Sequence, residues 1–167
     1  NGLRYSNYHT TALCSPTRAA LLTGRNPHSV GMGRVADIVS GFPGYNAIMP
    51  ASAGMISEIL VRNGYATYLL GKWHLSPQGE NQMGSTRERW PLGRGFERFY
   101  GILNAEASQW EPPMFDQTTP VMPYEGRDDY HMSEDITERA IEWIQLQRAS
   151  NPHRPFFAYL AFNAVHT

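Results

Sequence analysis

The chain has 167 residues, with 14 Lys and Arg against 15 Asp and Glu, and this near-neutral balance argues against nucleic-acid and membrane-surface partners. Apolar residues make up 41% and charged residues 17%, which argues against intrinsic disorder. The longest apolar run, Phe156–Phe162, is far shorter than the roughly 20 residues that cross a membrane, and the single cysteine, Cys14, excludes an internal disulfide.

The first two predicted elements are helices. A helix over 15–24 has Ser15 as its N-cap, Pro16 in its first turn and Gly24 just beyond its end. A second helix over 52–64 follows from an apolar stripe at helical spacing that an Asn-Gly pair terminates.

The rest of the chain predicts an α/β fold. The apolar run over 65–70 indicates a buried strand, and a helix over 133–148 with Ser133 as N-cap precedes a second buried strand over 156–162. Between them, 76–126 is rich in Pro, Gly and polar residues and predicts a long excursion with little regular structure, held by its aromatic side chains. This order favours a mixed, largely parallel central sheet flanked by helices.

The ends of the chain predict an incomplete domain. The sequence begins at Asn1 without a methionine and ends at Thr167, directly after a predicted strand. Because a terminal strand leaves an unpaired edge, we expect a piece of a longer protein, and its compartment stays open.

Polar, titratable side chains fall at three predicted element ends. Cys14 precedes the first helix, Lys72 and His74 follow the first strand, and His166 follows the last strand. In α/β sheets, ligands bind beyond the carboxyl ends of the strands, where loops and helix N-termini meet. We therefore expect these residues to form one site.

The residue types suit an anionic substrate. A helix N-terminus lowers the pKa of a thiol such as Cys14 and attracts anions, and Arg18 lies one turn further along the same helix face. Lys72 and His74 are two residues apart, so an extended chain places both on one side and Trp73 on the other. A cation and an imidazole that face one pocket suit a tetrahedral anion.

Each residue also has an ordinary structural explanation. Cys14 alone is compatible with a buried structural cysteine, Lys72 and His74 with a strand-end lysine and a packed histidine, and His166 alone favours a structural role. His9 and His28 flank Cys14 in sequence, but their spacing matches no zinc-binding pattern.

Two segments carry a family resemblance. Leu13–Arg25 (LCSPTRAALLTGR) resembles the signature of the type I sulfatases, which are formylglycine-dependent sulfuric ester hydrolases, and Gly64–Leu75 (GYATYLLGKWHL) resembles their second signature. The likeness covers essentially the whole chain and is closest to bacterial arylsulfatases, in the alkaline-phosphatase-like superfamily of α/β folds. It implies that residues 1–167 are part of a sulfatase catalytic domain.

The resemblance implies a role for each matching residue. Cys14 would be oxidised to formylglycine by a maturation enzyme that recognises the CxPxR string. One hydroxyl of the hydrated aldehyde would attack sulfur and expel the alcohol, and loss of the second hydroxyl's proton would release sulfate. Arg18 would hold the formylglycine, and Lys72 would bridge it to a small-molecule sulfate ester. His74 would take the proton of the second hydroxyl, and His166 would contact the sulfate and help to protonate the leaving oxygen.

The resemblance also implies a calcium ion. Cys14, as formylglycine, would be one ligand, and the other ligands are expected outside this chain. Because hard cations need several oxygen ligands, we expect the 167-residue chain alone to be inactive and to bind calcium weakly.

Three other functions remain open at this stage. A phosphonate monoester or phosphodiester hydrolase can use the same formylglycine. A non-catalytic homologue could act as a binding module, and a redox-active or metal-binding cysteine protein would keep a free thiol at Cys14.

Overall fold

A five-stranded sheet organises the computed structural model, which describes residues 2–166. The strands are β1 (Ala66–Lys72), β2 (Arg98–Ile102), β3 (Met114–Asp116), β4 (Thr119–Val121) and β5 (Phe156–Ala161), in the order β4-β3-β2-β1-β5. The central strand β1 pairs in parallel with β2 and β5, whereas β3 is antiparallel to both of its neighbours. The predicted α/β fold with a mixed sheet is confirmed.

Three helices flank this sheet within the described residues: α1 (Cys14–Thr23), α2 (Ile56–Arg62) and α3 (Met132–Ser150). Single turns of 3-10 helix lie at Pro27–Val30, Gln78–Glu80 and Leu92–Arg94. As predicted, α1 ends where Gly24 adopts a left-handed conformation, with φ of 65°. The second helix is shorter than the predicted 52–64.

The two predicted serine N-caps are wrong. α1 follows Leu13 without a side-chain cap, and Ser15 lies inside the helix, with its hydroxyl next to His74. In α3 the cap is the imidazole of His131, which accepts a hydrogen bond from the backbone N–H of Ser133 at 3.2 Å. Capping preferences depend on the local sequence alone, so they do not predict that a serine hydroxyl contacts a buried residue from a distant part of the chain.

The helices cover opposite faces of the sheet. Ala19 and Leu22 of α1 belong to the same buried apolar cluster as Leu69 of β1. The neighbouring Leu70 belongs to the other cluster, together with Ile136 of α3. Because successive side chains of a strand point to opposite faces, β1 is buried on both sides and forms the centre of the fold.

The predicted excursion contains more regular structure than its composition indicates. β2, β3 and β4 all lie within 76–126, so the expectation of little regular structure is wrong there. Gly101 obscures the strand pattern of β2, yet the pairing needs this glycine, because a Cβ would collide with the backbone of Gly71 on β1. The segment's aromatic side chains Trp90, Phe96, Phe99 and Tyr100 are buried, whereas Trp110 is 64% exposed.

The last strand is not the buried strand that its apolar sequence predicts. β5 pairs with β1, and no strand of residues 2–166 pairs with its other side. Phe156 and Leu160 are each more than one-third exposed. No helix in this described part of the chain is long and apolar enough to cross a membrane.

Candidate active site

The N-terminus of α1 meets the carboxyl end of β1. The Sγ atom of Cys14 lies 3.1 Å from Nδ1 of His74, and the imidazole is 1% exposed. Beyond the last residue of β1, the chain continues along β2, since the N–H groups of Trp73 and His74 donate to the carbonyl groups of Ile102 and Leu103. His74 then adopts a left-handed backbone conformation, with φ of 51°.

Arg18 joins three elements of this site. Its Nη1 donates to the carbonyl oxygen of Lys72 at 2.6 Å and to the hydroxyl of Tyr159 at 3.4 Å, so it connects α1 with β1 and β5. Arg18 and Cys14 also line the same cavity. The predicted proximity of these two residues agrees with this arrangement.

Lys72 is the final residue of β1 and is almost fully buried, at 2% exposure. Burial lowers the pKa of its ammonium group, and the adjacent Cys14 opposes this shift by charge and by a hydrogen bond. Trp73 lies in the apolar core, whereas Lys72 and His74 both reach Cys14, as the two-residue spacing predicts.

Residue 14 is a free cysteine in this structure. The hydrogen bond with His74 lowers the pKa of the Cys14 thiol to about 6; burial opposes this shift, and electrostatic interactions with His74 and Lys72 add to it. The environment therefore favours a negative charge at position 14.

A cavity of about 350 Å³ opens beside Cys14. Its lining combines apolar and polar groups: Thr11, Leu13, Cys14, Thr17, Arg18, Leu21 and Tyr159. Cavities of this size accommodate small-molecule ligands.

The chain's sequence did not reveal two further members of the site. Oδ2 of Asp37 lies 2.8 Å from Nε2 of His74, and the Ser15 hydroxyl lies 3.2 Å from Nδ1 of the same ring. Asp37 belongs to a loop without periodicity, 37 residues away from His74, so no sequence pattern singles it out. Ser15 was predicted only as a cap.

His166 lies apart from the Cys14 cluster. Its Nδ1 is 3.0 Å from Oε2 of Glu106, and its carbonyl oxygen accepts from the Gln109 side chain at 3.0 Å. Glu106 follows β2 and its charge acts on Lys72, so His166 and Lys72 share a neighbouring carboxylate at this edge of the sheet. Among the described residues, no hydrogen bond joins His166 to Cys14, and its role stays a prediction.

Within 2–166, no group of three or more His, Cys, Asp or Glu side chains is placed to hold a metal ion. The role of Cys14 as a metal ligand in its formylglycine form stays a prediction.

The sequence of the chain is similar to those of known sulfatases. The sulfatase family matches residues 1–167. The chain is 30% identical to an uncharacterized sulfatase of Schizosaccharomyces pombe, over 99% of this chain and 32% of the relative. It is also 28% identical to an arylsulfatase of Klebsiella aerogenes, over 99% of this chain and 36% of that protein.

The fold of the chain is also similar to parts of larger proteins whose structures have been solved. The crystal structure of Ps i-CgsB in complex with k-i-k-neocarrahexaose superposes with a TM-score of 0.72 at 27% identity, over 92% of this chain and 35% of that one. PsFucS1 sulfatase from Pseudoalteromonas sp. shares the fold, with a TM-score of 0.63 at 19% identity, over 95% of this chain and 35% of its own. The chain spans about one-third of the length of the relatives it matches.

Proposed function

Because the chain belongs to the sulfatase family, we propose that it is part of the catalytic domain of an arylsulfatase-like enzyme that hydrolyses sulfate esters through a converted Cys14. The observation that carries this proposal is the 3.1 Å contact between Cys14 and the buried His74 at the N-terminus of α1. A nucleophile within hydrogen-bond reach of a base is the arrangement that covalent catalysis requires.

The position of Cys14 suits formylglycine. When present, formylglycine hydrate supplies two hydroxyls, one to attack sulfur and one to release the sulfate. The 3.1 Å separation between the Cys14 sulfur and Nδ1 of His74 is compatible with a hydrogen bond from an oxygen placed there. His74 would accept a hydroxyl proton at this nitrogen.

The cations around Cys14 would bind and orient the sulfate. Lys72 is buried beside Cys14, where little water competes for its charge, so its ammonium would stabilise negative oxygens as the ester bond breaks. Arg18 lines the cavity, and its hydrogen bond to the Lys72 carbonyl would keep that strand end in register with α1.

For His166 we propose contact with the sulfate and proton transfer to the leaving oxygen. Its place after β5 and its link through Glu106 to the surroundings of Lys72 support this role. In the present geometry, the 3.0 Å contact between Nδ1 of His166 and Oε2 of Glu106 holds the imidazole, which is 44% exposed.

Mass spectrometry of the tryptic peptide Tyr5–Arg18 tests the nucleophile, using protein co-expressed with a formylglycine-generating enzyme. We expect an aldehyde in place of the Cys14 thiol, and the matched variant Pro16→Ala, which alters the CxPxR string, should lose most of the conversion. An unmodified thiol in both proteins would contradict the proposal.

The nearest competing function is phosphonate monoester or phosphodiester hydrolysis. The mature protein that contains this chain should turn over an aryl sulfate faster than an aryl phosphonate. The reverse preference would support the competing function, and conversion without turnover of either substrate would favour a non-catalytic homologue.

A further inference from the structure

We infer that Asp37 is a positioning residue that holds the His74 imidazole with Nδ1 toward the side chain of residue 14. This inference rests on the proposed function, in which His74 accepts a proton from a hydroxyl at that position. It assigns the loop after α1 a direct part in preparing the base.

The first observation is the contact on the far side of the ring. Oδ2 of Asp37 lies 2.8 Å from Nε2 of His74, and the carboxylate is 29% exposed whereas the imidazole is 1% exposed. An ionised carboxylate only accepts hydrogen bonds, so Nε2 must carry the proton. In the neutral ring, Nδ1 then keeps its lone pair.

The second observation concerns Ser15, which approaches the opposite nitrogen. The Ser15 hydroxyl oxygen accepts a hydrogen bond from the N–H of Ala36 at 3.1 Å, so its own proton is free to point toward Nδ1 of His74 at 3.2 Å. A donor at this place favours a lone pair on Nδ1. The Ser15 contact is therefore compatible with the tautomer that the Asp37 contact requires.

The surroundings of His74 disfavour another orientation of its ring. The N–H of His74 donates to the carbonyl of Leu103, and its φ of 51° directs the chain away from the strand. With the imidazole almost fully buried, rotation of the ring would leave buried polar atoms without hydrogen-bond partners.

The proton transfer balances within these groups. The O–H bond of a hydroxyl at position 14 breaks and its electron pair stays on the oxygen, while the lone pair of Nδ1 of His74 forms the new N–H bond. The imidazolium charge is stabilised by the carboxylate of Asp37, which keeps its own charge. Without Asp37, the proton of neutral His74 could occupy Nδ1, and the ring would no longer accept a proton there.

Nitrogen NMR of the His74 imidazole tests the inference. The experiment uses the Cys14→Ser chain at about pH 8, where the serine hydroxyl represents a hydroxyl at position 14 and histidine is ordinarily neutral. We expect a proton on Nε2 and a lone pair on Nδ1. Adding Asp37→Ala should move both resonances toward each other as the tautomers mix, and Asp37→Glu should restore part of the original separation.

The matched control is Asp129→Ala, which removes a carboxylate that is 87% exposed and should leave both resonances unchanged. Unchanged resonances in Asp37→Ala, or a protonated Nδ1 in the Cys14→Ser chain, would overturn the inference.

If Asp37→Ala does not fold, a second NMR measurement on the Cys14→Ser chain decides. A scalar coupling across the hydrogen bond from Nε2 of His74 to the carboxylate of Asp37 would support the inference, and its absence would overturn it. Failure of Cys14 conversion would leave this result interpretable, because no step requires formylglycine.

Discussion

Two clusters of buried polar groups lie on different parts of the sheet, and the pKa values of their ionisable groups shift in opposite directions. At the edge formed by α1 and β1, the pKa of Cys14 falls to about 6, mainly because of its hydrogen bond with His74 and the nearby charge of Lys72. On the α3 face, the hydroxyls of Tyr100 and Tyr130 both donate to Oδ2 of Asp135, at 2.6 and 2.9 Å. There, burial and the nearby carboxylate raise the pKa of both tyrosines.

Comparison of the two clusters shows that the neighbouring charge decides whether the pKa of a buried acidic group rises or falls. Burial alone disfavours ionisation of a thiol and of a phenol alike. Around Cys14 a hydrogen bond and positive charges outweigh this effect, whereas beside Asp135 the negative charge adds to it. The first cluster favours a negative charge on Cys14, and the second keeps neutral donors that attach α3 to the sheet.

The largest expected effect comes from removing the base of the first cluster. We expect His74→Ala to lower kcat of the mature protein about 10²–10⁴-fold, because a positioned general base contributes this much. Steady-state kinetics with an aryl sulfate measures the loss. The control is His153→Ala, an exposed histidine, and equal activity of both variants would contradict the role of His74.

The ionisation of Cys14 gives the next largest effect. Because its pKa is lowered to about 6, alkylation of the unconverted thiol should be nearly independent of pH above about 7 and should slow as the pH falls through 6. His74→Ala should raise the pKa and slow alkylation at pH 7 by up to about 100-fold. Rates measured with iodoacetamide across the pH range check this, and a wild-type midpoint above about 8 would contradict it.

The second cluster should affect stability without affecting reactivity. Tyr130→Phe removes a hydrogen bond to a carboxylate and should lower the free energy of unfolding by about 1.5–3 kcal/mol, measured by chemical denaturation. The control is Tyr5→Phe, since Tyr5 is 67% exposed. A change in Cys14 alkylation rate in Tyr130→Phe would show that the two clusters are coupled.

The smallest effect is expected when calcium is added to the chain. Calorimetric titration of the 167-residue chain should detect weak binding at most, because the described residues provide no cluster of metal-ligating side chains. Tight, stoichiometric binding would contradict this expectation.

The sequence by itself determined the parts of this protein that depend on local pattern. The apolar runs predict β1 and most of α3, and the two signature segments single out Cys14, Arg18, Lys72 and His74, which the structure brings together. These features are readable because helix and strand periodicity and short motifs are properties of neighbouring residues.

Only the tertiary structure decided the partners of those residues. In the sequence, Asp37 cannot be distinguished from other loop carboxylates, and only the fold places it against His74. Ser15 has the sequence context of a helix cap, but in the fold its hydroxyl contacts Ala36 and His74. Likewise, β5 has the sequence of a buried strand but lies at an edge of the sheet in the described chain. Contacts between distant segments depend on how elements pack, and no local periodicity encodes them.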